Sequence, residues 1–404
     1  MGNKIRVGLV YGGRSGEHEV SLQTALAVLK AFDYDRYELI PFYITPKGQW
    51  RSGPLLSAPP SAVAELQFSP SAGGARGEEA FSADKTYIAA AAFASKEGSS
   101  ELEGISTTDN ALLPVLQGMS ERILGEGSAP DDGKTIDVMF PLLHGTFGED
   151  GTIQGLFEMA GLPYVGAGVL ASSVGMDKVA MKTMFAHAGL PQVGYRHFIR
   201  YQWKQNREKC LGSVEELGYP CFVKPANLGS SVGVSKARNR EELVSAVDEA
   251  LRYDRKVIVE EFVDAREIEV SVLGNDEPRA SVPGEICSSN EFYDYKAKYI
   301  DGKSVMVIPA EVSPEVADAV RKMAVQAFQS IDGSGLCRAD FFLRRSDGAL
   351  FINEVNTLPG FTPYSMYPLM WKESGVPYRE LLDTLIQLAI DRHAERQSLE
   401  YGGE

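Results

Sequence analysis

The chain reads as a mixed α/β and α+β protein, in which an open parallel-sheet, Rossmann-like unit precedes α+β units that carry the chemistry. Three observations predict this. Residues 5–50 alternate strand, turn, helix and strand; residues 220–262 hold two apolar strands separated by a glycine- and serine-rich loop and a helix; residues 335–356 form two apolar strands about a tight turn. Strand-length apolar runs interleaved with helical periodicity are the pattern of sheets covered by helices.

The first unit opens with a strand over 7–11, the turn Gly12-Gly13-Arg14-Ser15-Gly16-Glu17, an amphipathic helix over 20–32 and a strand over 37–44. Ligands of open α/β sheets gather beyond the carboxyl ends of the strands, which marks the 12–17 turn. From about 52 to 134 the composition shifts to Ala, Ser, Gly, Pro and Glu, and this stretch reads as long surface excursions with some short elements. An apolar strand returns over 136–143, runs into His144-Gly145-Thr146-Phe147-Gly148-Glu149-Asp150-Gly151, and is followed by a helix to Ala160. A further α/β unit over 163–169 closes the first domain near residue 172.

A helix over 178–188 stops at Gly189-Leu190-Pro191. The strand 220–225, loop 227–235, helix 241–251 and strand 256–262 then make a compact α+β unit. The remainder holds a segment over 267–274, an aromatic loop over 292–299, a helix over 314–330, the hairpin, and a C-terminal helix from Tyr378 to about Arg396. The expected domains are therefore 1–172, 173–262 and 263–404.

Composition narrows the function. A net charge of −15 with no long basic run argues against a partner bound by neutralising nucleic-acid phosphates. Four cysteines without a Cys-x-x-Cys pair read as reduced thiols of a cytoplasmic protein. The first residues lack the apolar core and cleavage site of a signal peptide, and Arg6 stands where a myristoylation signal needs Ser or Thr. No apolar run is long enough to span a bilayer, so neither a nucleic acid nor a membrane is an expected partner.

The strongest chemical signal is the hairpin. A turn at Ser346-Asp347-Gly348, with Gly348 left-handed, sets Asp340 opposite Glu354 and Arg338 opposite Asn356. Side chains alternate along strands, so all four share one face. Carboxylate and amide oxygens suit a hard cation such as Mg²⁺, which completes its shell with water and substrate phosphate. The plainer reading is a solvated polar face, which fits poorly with the apolar opposite face and the run into Thr357-Leu358-Pro359-Gly360. After Lys224-Pro225, the loop Asn227-Leu228-Gly229-Ser230-Ser231-Val232-Gly233-Val234-Ser235 lets backbone amides approach phosphate oxygens while the lysine adds a point charge. Alone, that loop could equally be a plain glycine-serine turn. Lys178 is a second phosphate candidate that, without context, reads as a solvated helix lysine. Glu260-Glu261-Phe262, with Glu267 shortly after, could offer backbone groups to adenine and carboxylates to ribose hydroxyls, or be surface acids. Gly133-Lys134-Thr135 imitates the end of a P-loop, but Gly127 is one residue too far upstream and a strand follows where a helix is needed.

Taken together, Lys178, Lys224, the Gly/Ser loop, Glu260, and the Asp340, Glu354, Asn356 set resemble the ATP-grasp superfamily. Glu17-His18-Glu19-Val20-Ser21-Leu22, His144 to Gly151, Tyr293-Asp294-Tyr295-Lys296-Ala297-Lys298-Tyr299 and Asn356 to Gly360 resemble one family within it, the D-alanine:D-alanine ligases, in family order from residue 4 to about 390. The resemblance implies the ATP-grasp fold behind the Rossmann-like unit, and an ATP-dependent, ADP-forming ligation of two D-alanine molecules through an acyl phosphate, for peptidoglycan precursors. It implies ATP and Mg²⁺ (two ions, Mn²⁺ being possible) as cofactors, and a homodimer. By the same resemblance Lys178, Lys224, Ser231, Glu260, Glu261, Phe262 and Glu267 bind nucleotide, and Asp340, Glu354 and Asn356 hold metal. Arg338 and the Gly360 amide face the oxyanion. Glu17 takes the first substrate's ammonium within a set completed by Ser230 and Tyr299, and His144 is a substrate-binding position. Lys298, Ser365 and Met366 receive the second carboxylate.

The stretch 52–134 exceeds that of compact family members, and no motif supports a role for it. Relatives that make D-alanyl-D-lactate lack the Tyr-x-x-Lys-Tyr loop, so Tyr295, Lys298 and Tyr299 favour the dipeptide over D-alanyl-D-lactate. D-alanyl-D-serine synthesis and a nucleotide-binding pseudoenzyme stand as alternatives, the latter disfavoured by the retention of Arg338. Residues 284–303, with glycines at both ends and a polar, aromatic middle, read as a lid.

Overall fold

The computed structural model describes residues 4–68, 136–229, 232–287 and 305–400. Three sheets organise them. In the first, β1 (Ile5–Gly12) lies parallel to β2 (Tyr37–Ile44) and to β4 (Val138–Pro141), while β3 (Trp50–Ser52) adds antiparallel to β2. β1 is buried along nearly its whole length, as a central parallel strand covered on both faces must be. Val7, Leu9 and Tyr11 point to one core with α1 (His18–Ala31), and Val10 points to another with Phe157 of α2 (Thr152–Met159).

The first of these cores is shared with the far end of the chain. Leu381, Leu382, Leu385 and Ile386 pack with Val7, Leu9 and Phe140, the Tyr37 hydroxyl donates to Asp383 Oδ1 at 2.6 Å, and Arg36 pairs with the same carboxylate. Residues 63–66 also join it: Leu66 is fully buried and its carbonyl accepts from the Tyr11 hydroxyl at 3.0 Å. The described part of the 52–134 stretch thus includes a packed turn, while residues 69–134 lie outside the described residues.

Helices α3 (Val169–Met176) and α4 (Lys178–His187) lead to the second sheet. Its antiparallel order is β5-β8-β6-β7, from β5 (Tyr195–Ile199), β6 (Cys221–Pro225), β7 (Ser235–Ala237) and β8 (Lys256–Glu261). α5 (Arg200–Gln205), α6 (Arg207–Glu215) and α7 (Arg240–Tyr253) fill its core with Trp203, Leu211, Leu243 and Val247. Asn239 caps α7 by accepting from the Glu242 N–H at 2.9 Å, the usual way of satisfying an orphan first-turn donor.

The third sheet is antiparallel throughout. Its order is β12-β11-β9-β13-β14 with β10 also on β9, built from β9 (Ala265–Gly274), β10 (Arg279–Ala280), β11 (Gly284–Cys287), β12 (Val305–Val307), β13 (Gly335–Arg344) and β14 (Leu350–Asn356). Ile268, Val270, Val272, Ala339 and Phe341 bury against α8 (Pro314–Ser330), whose Pro314 sits at the first turn where no N–H is needed. The opposite, polar face carries Glu267, Glu269, Arg338 and Asp340. α9 (Met366–Glu373) and α10 (Tyr378–Gln397) complete the described chain.

One glycine fixes the exit of β1. Gly12 has φ +90°, and a Cβ there would lie 2.2 Å from the Ile44 carbonyl oxygen. Gly12→Ala is expected to cost about 1–3 kcal/mol from the backbone conformation alone, with the clash adding to it. Thermal unfolding checks this, and an unchanged midpoint would show that the turn relaxes freely.

Candidate active site

A cavity of about 280 Å³ has Lys178, Lys224, Glu260, Glu267, Arg338, Asp340, Glu354 and Asn356 in its walls, drawn from the second and third sheets and α4. The hairpin has the expected register, Arg338 opposite Asn356 and Asp340 opposite Glu354, with Gly348 at φ 73° in the turn. A bulge follows Asp340, so that Phe341 next pairs with Ile352. Arg338 grips Asp340 with both Nε and a terminal nitrogen at 2.7 Å, and Nε lies 3.1 Å from Glu269 Oε2. Asn356 Nδ2 donates to Asp340 Oδ2 at 3.0 Å. Burial disfavours the guanidinium charge, but the Asp340 and Glu269 carboxylates outweigh it and hold the Arg338 pKa well above its ordinary value.

Lys178 reaches the cavity from the first turn of α4. Asp177 caps that helix by accepting from the Val179 and Ala180 N–H groups, and it pairs with Lys256. The Lys178 ammonium donates to the Leu228 carbonyl at 2.8 Å and stands 4.0 Å from Glu354 Oε2. Across from it, Asn227 anchors the glycine-serine loop: its N–H and Nδ2 donate to Asp254 Oδ2 at 2.8 and 2.9 Å. Ser230 and Ser231 lie outside the described residues.

The predicted residues Lys224 and Glu260 meet in the cavity wall in a charge cluster whose third member, Lys182, lies behind it and was missed by sequence reasoning. Glu260 is 3% exposed and accepts Lys182 on Oε1 at 2.8 Å and Lys224 on Oε2 at 2.6 Å. Burial alone would raise this carboxyl's pKa, but the two ammoniums overcome it and hold it far below the usual carboxylate range. The available signal was spacing, since Lys182 follows Lys178 by one helical turn and shares its face. Glu261 Oε1 instead accepts from the Gly194 N–H at 2.7 Å, and Phe262 is 38% exposed beside Phe222 with Lys236 over its ring. Glu260, Glu261 and Phe262 all line the cavity.

The N-terminal turn lies beside Gly229, which lines the cavity. Glu17 Oε2 is 2.8 Å from where a Cβ on Gly145 would lie and 3.4 Å from one on Gly229, so this carboxylate sits between the 144–151 loop and the glycine-serine loop. Ser15 ties the turn down, its hydroxyl donating to the His144 carbonyl at 2.7 Å. Glu149 lines the cavity and accepts from the Gly145 N–H at 2.9 Å; burial first, then the Glu17 charge, push its carboxyl well above the usual range. The His144 imidazole is turned inward, 6% exposed with Nε2 3.3 Å from Thr24 Oγ1, and burial lowers its pKa.

Of the remaining candidates, Gly360 lies against Ser365, whose Oγ is 2.8 Å from Thr362 Oγ1 and accepts from the Thr362 N–H at 3.1 Å. Met366 buries its side chain with Ile286 and Met370, which leaves only its N–H at the start of α9 for a ligand. Tyr295, Lys298, Tyr299 and all of 288–304 lie outside the described residues. Among the described residues no three His, Cys, Asp or Glu gather into a metal cluster, and no helix is long and apolar enough to cross a membrane. The donor set of two carboxylates and an amide, facing two lysines across one cavity, fits a hard divalent cation that keeps water and phosphate ligands.

Comparison with known proteins bears on this arrangement. Residues 6–167 match the family described as D-ala D-ala ligase N-terminus, and residues 184–387 match D-ala D-ala ligase C-terminus. The chain is 53% identical over 399 residues to a D-alanine--D-alanine ligase of Bacillus licheniformis, covering 98% of this chain and 99% of the relative. It is 50% identical over 406 residues to the enzyme of the same name from Listeria monocytogenes, with coverage of 98% and 99%. Among solved structures, the D-alanine-D-alanine ligase from Coxiella burnetii is similar with a TM-score of 0.71 and 32% identity, over 98% of this chain and 96% of that one. The VanG D-Ala:D-Ser ligase from Enterococcus faecalis is similar with a TM-score of 0.73 and 32% identity, over 96% and 100%.

Proposed function

The chain belongs to the D-alanine:D-alanine ligase family, and from that premise we propose that it joins two D-alanine molecules into D-alanyl-D-alanine with ATP, for peptidoglycan precursor synthesis. Its fold is the ATP-grasp fold behind a Rossmann-like open sheet. The observation that carries the reading is the cavity that sets Lys178 and Lys224 against Arg338, Asp340, Glu354 and Asn356, with Glu17 at its margin.

In the first step a carboxylate oxygen of one D-alanine bonds to the γ-phosphorus and the bond to the ADP oxygen breaks. Lys178 and Lys224 hold the phosphates in line, and Glu17 pairs with that substrate's ammonium. Asp340, Glu354 and Asn356 are the residues that would hold two Mg²⁺ ions, with Mn²⁺ as the substitute; such ions supply charge neutralisation at phosphate oxygens. In the second step the neutral amine of another D-alanine bonds to the acyl carbon. Arg338 and the Gly360 N–H donate to the oxygen on which charge develops, and the bond to phosphate then breaks as the amine gives up its proton. Ser365, the Met366 N–H and Lys298 receive the second carboxylate, while Ser231, Glu260, Glu261, Phe262 and Glu267 seat the nucleotide. The three-part division at 172 and 262, a homodimer and a cytoplasmic location belong to the same proposal.

Incubation with ATP, Mg²⁺ and D-alanine, with D-serine and D-lactate added in parallel, tests it. ADP, phosphate and D-alanyl-D-alanine should form in equal amounts; mixed product in excess over the dipeptide at equal substrate concentrations would move the chain to another specificity.

Tyr299→Phe tests the transferred role of that phenol. D-alanine's amine is mostly protonated near neutral pH and must be presented deprotonated, whereas the D-lactate hydroxyl needs no such selection. Dipeptide synthesis should fall strongly, and the ratio of dipeptide to depsipeptide should drop toward the acid end of pH 6 to 9. An unchanged rate and ratio would withdraw Tyr299 from the site.

A further inference from the structure

Lys182 is 1% exposed, yet its ammonium has three neighbours: Glu260 Oε1 at 2.8 Å, the Asn353 carbonyl at 3.4 Å and the Tyr195 ring centroid at 5.7 Å. Lys224 holds the other oxygen of the same carboxylate. The two lysines differ in access, because Lys224 lines the cavity and Lys182 does not. On the nucleotide reading given above, on which this inference rests, Lys224 serves a phosphate in the bound state. An ammonium has three donors and can keep Glu260 in part, but a phosphate that draws it outward weakens its hold on Oε2. With no second cation that shift would leave an ionised carboxylate underpaired in a buried site, which is strongly disfavoured. Lys224 would then stay with Glu260 and away from the phosphate.

We propose that Lys182 is a positioning residue for ATP: it keeps Glu260 fixed and charge-balanced through Oε1, so that Lys224 can shift from Oε2 toward a phosphate. Oε2 remains an acceptor on the cavity wall. The same ammonium joins the phosphate-binding helix to β14, since Asn353 immediately precedes Glu354. Lys182 therefore couples the order of the lysine side of the cavity to that of the carboxylate side.

The test compares ATP binding and steady-state kinetics for the wild type, Lys182→Met, Glu260→Gln, Lys182→Met with Glu260→Gln, and Lys224→Ala. Lys182→Met should raise the KM and Kd for ATP at least tenfold, with the D-alanine KM at saturating ATP held within about twofold. The double variant removes one charge of each sign and releases Lys224, so it should bind ATP at least fivefold more tightly than the single one. A purely structural lysine predicts additive or worse loss in the double variant. An ATP KM unchanged in Lys182→Met, or a double variant as weak as the single, overturns the proposal. If Lys182→Met does not fold, the double variant is compared with Glu260→Gln alone: ATP affinity within about threefold of that single variant supports the proposal, because Lys182 then has no carboxylate charge to balance, and a further tenfold loss overturns it. Lys224→Ala separates the two levels, because unchanged ATP affinity there defeats the nucleotide site itself, whereas weakened binding with a silent Lys182 defeats only this inference.

Discussion

Glu354→Gln is expected to cut turnover severely and to leave the protein folded. The side chain is 27% exposed and stands 4.0 Å from the Lys178 ammonium. The amide keeps the shape but removes the negative charge that would hold a divalent cation beside the phosphates. A fall in kcat of about 10²–10³ or more is expected, in line with the loss of one preorganised electrostatic element, with an unfolding midpoint close to the wild type. Near-normal ADP release at saturating Mg²⁺ would remove Glu354 from the site.

Arg338→Met should damage both stability and rate. Arg338 is 17% exposed and neutralises Asp340 and Glu269, which face each other across β13 and β9. Its loss removes the cation that these two adjacent carboxylates share, at a cost of about 3–5 kcal/mol. In the proposed role of Arg338 a donor to the developing oxyanion goes with it, for a further loss of about 10²–10³-fold in rate. Arg338→Lys separates the two effects: a point charge restores most of the stability, but the two-pronged grip on Asp340 is lost and the rate stays low. Denaturant midpoints and single-turnover dipeptide formation measure them independently. A Met variant that turns over within tenfold of wild type would exclude Arg338 from the chemistry.

The parts of this site that could be read from the residues alone are those set by local periodicity. Strand alternation and a turn glycine lead to the facing pairs Arg338–Asn356 and Asp340–Glu354, but the turn-side pairs such as Leu343–Leu350 run one residue off that register, and the bulge after Asp340, which the sequence does not announce, restores it. Lys182 illustrates the opposite case. A helix lysine is normally solvated, and only the approach of β8 and β14 to α4 turns this one inward. β5 escapes notice because it is an edge strand with a single buried residue, so it carries almost no apolar pattern. α9 escapes because Pro368 reads as a breaker, although it falls in the first turn, where the helix lacks partners for its N–H groups anyway. The inward turn of His144 likewise depends on α1 lying beside it.

The docking of residues 378–397 onto the first sheet has a consequence for the chain as it is made. Val7, Leu9 and Phe140 emerge from the ribosome early, but the leucines that cover them belong to the last helix. At about 5–20 residues per second, the interval between these segments is roughly 10–50 s. Throughout that time the nascent N-terminal half presents an apolar face with no permanent neighbour, the kind of surface that chaperones and proteases both recognise. A premature stop before Tyr378 would spare every proposed catalytic side chain and still make that exposure permanent, so such a truncated product is destined for degradation.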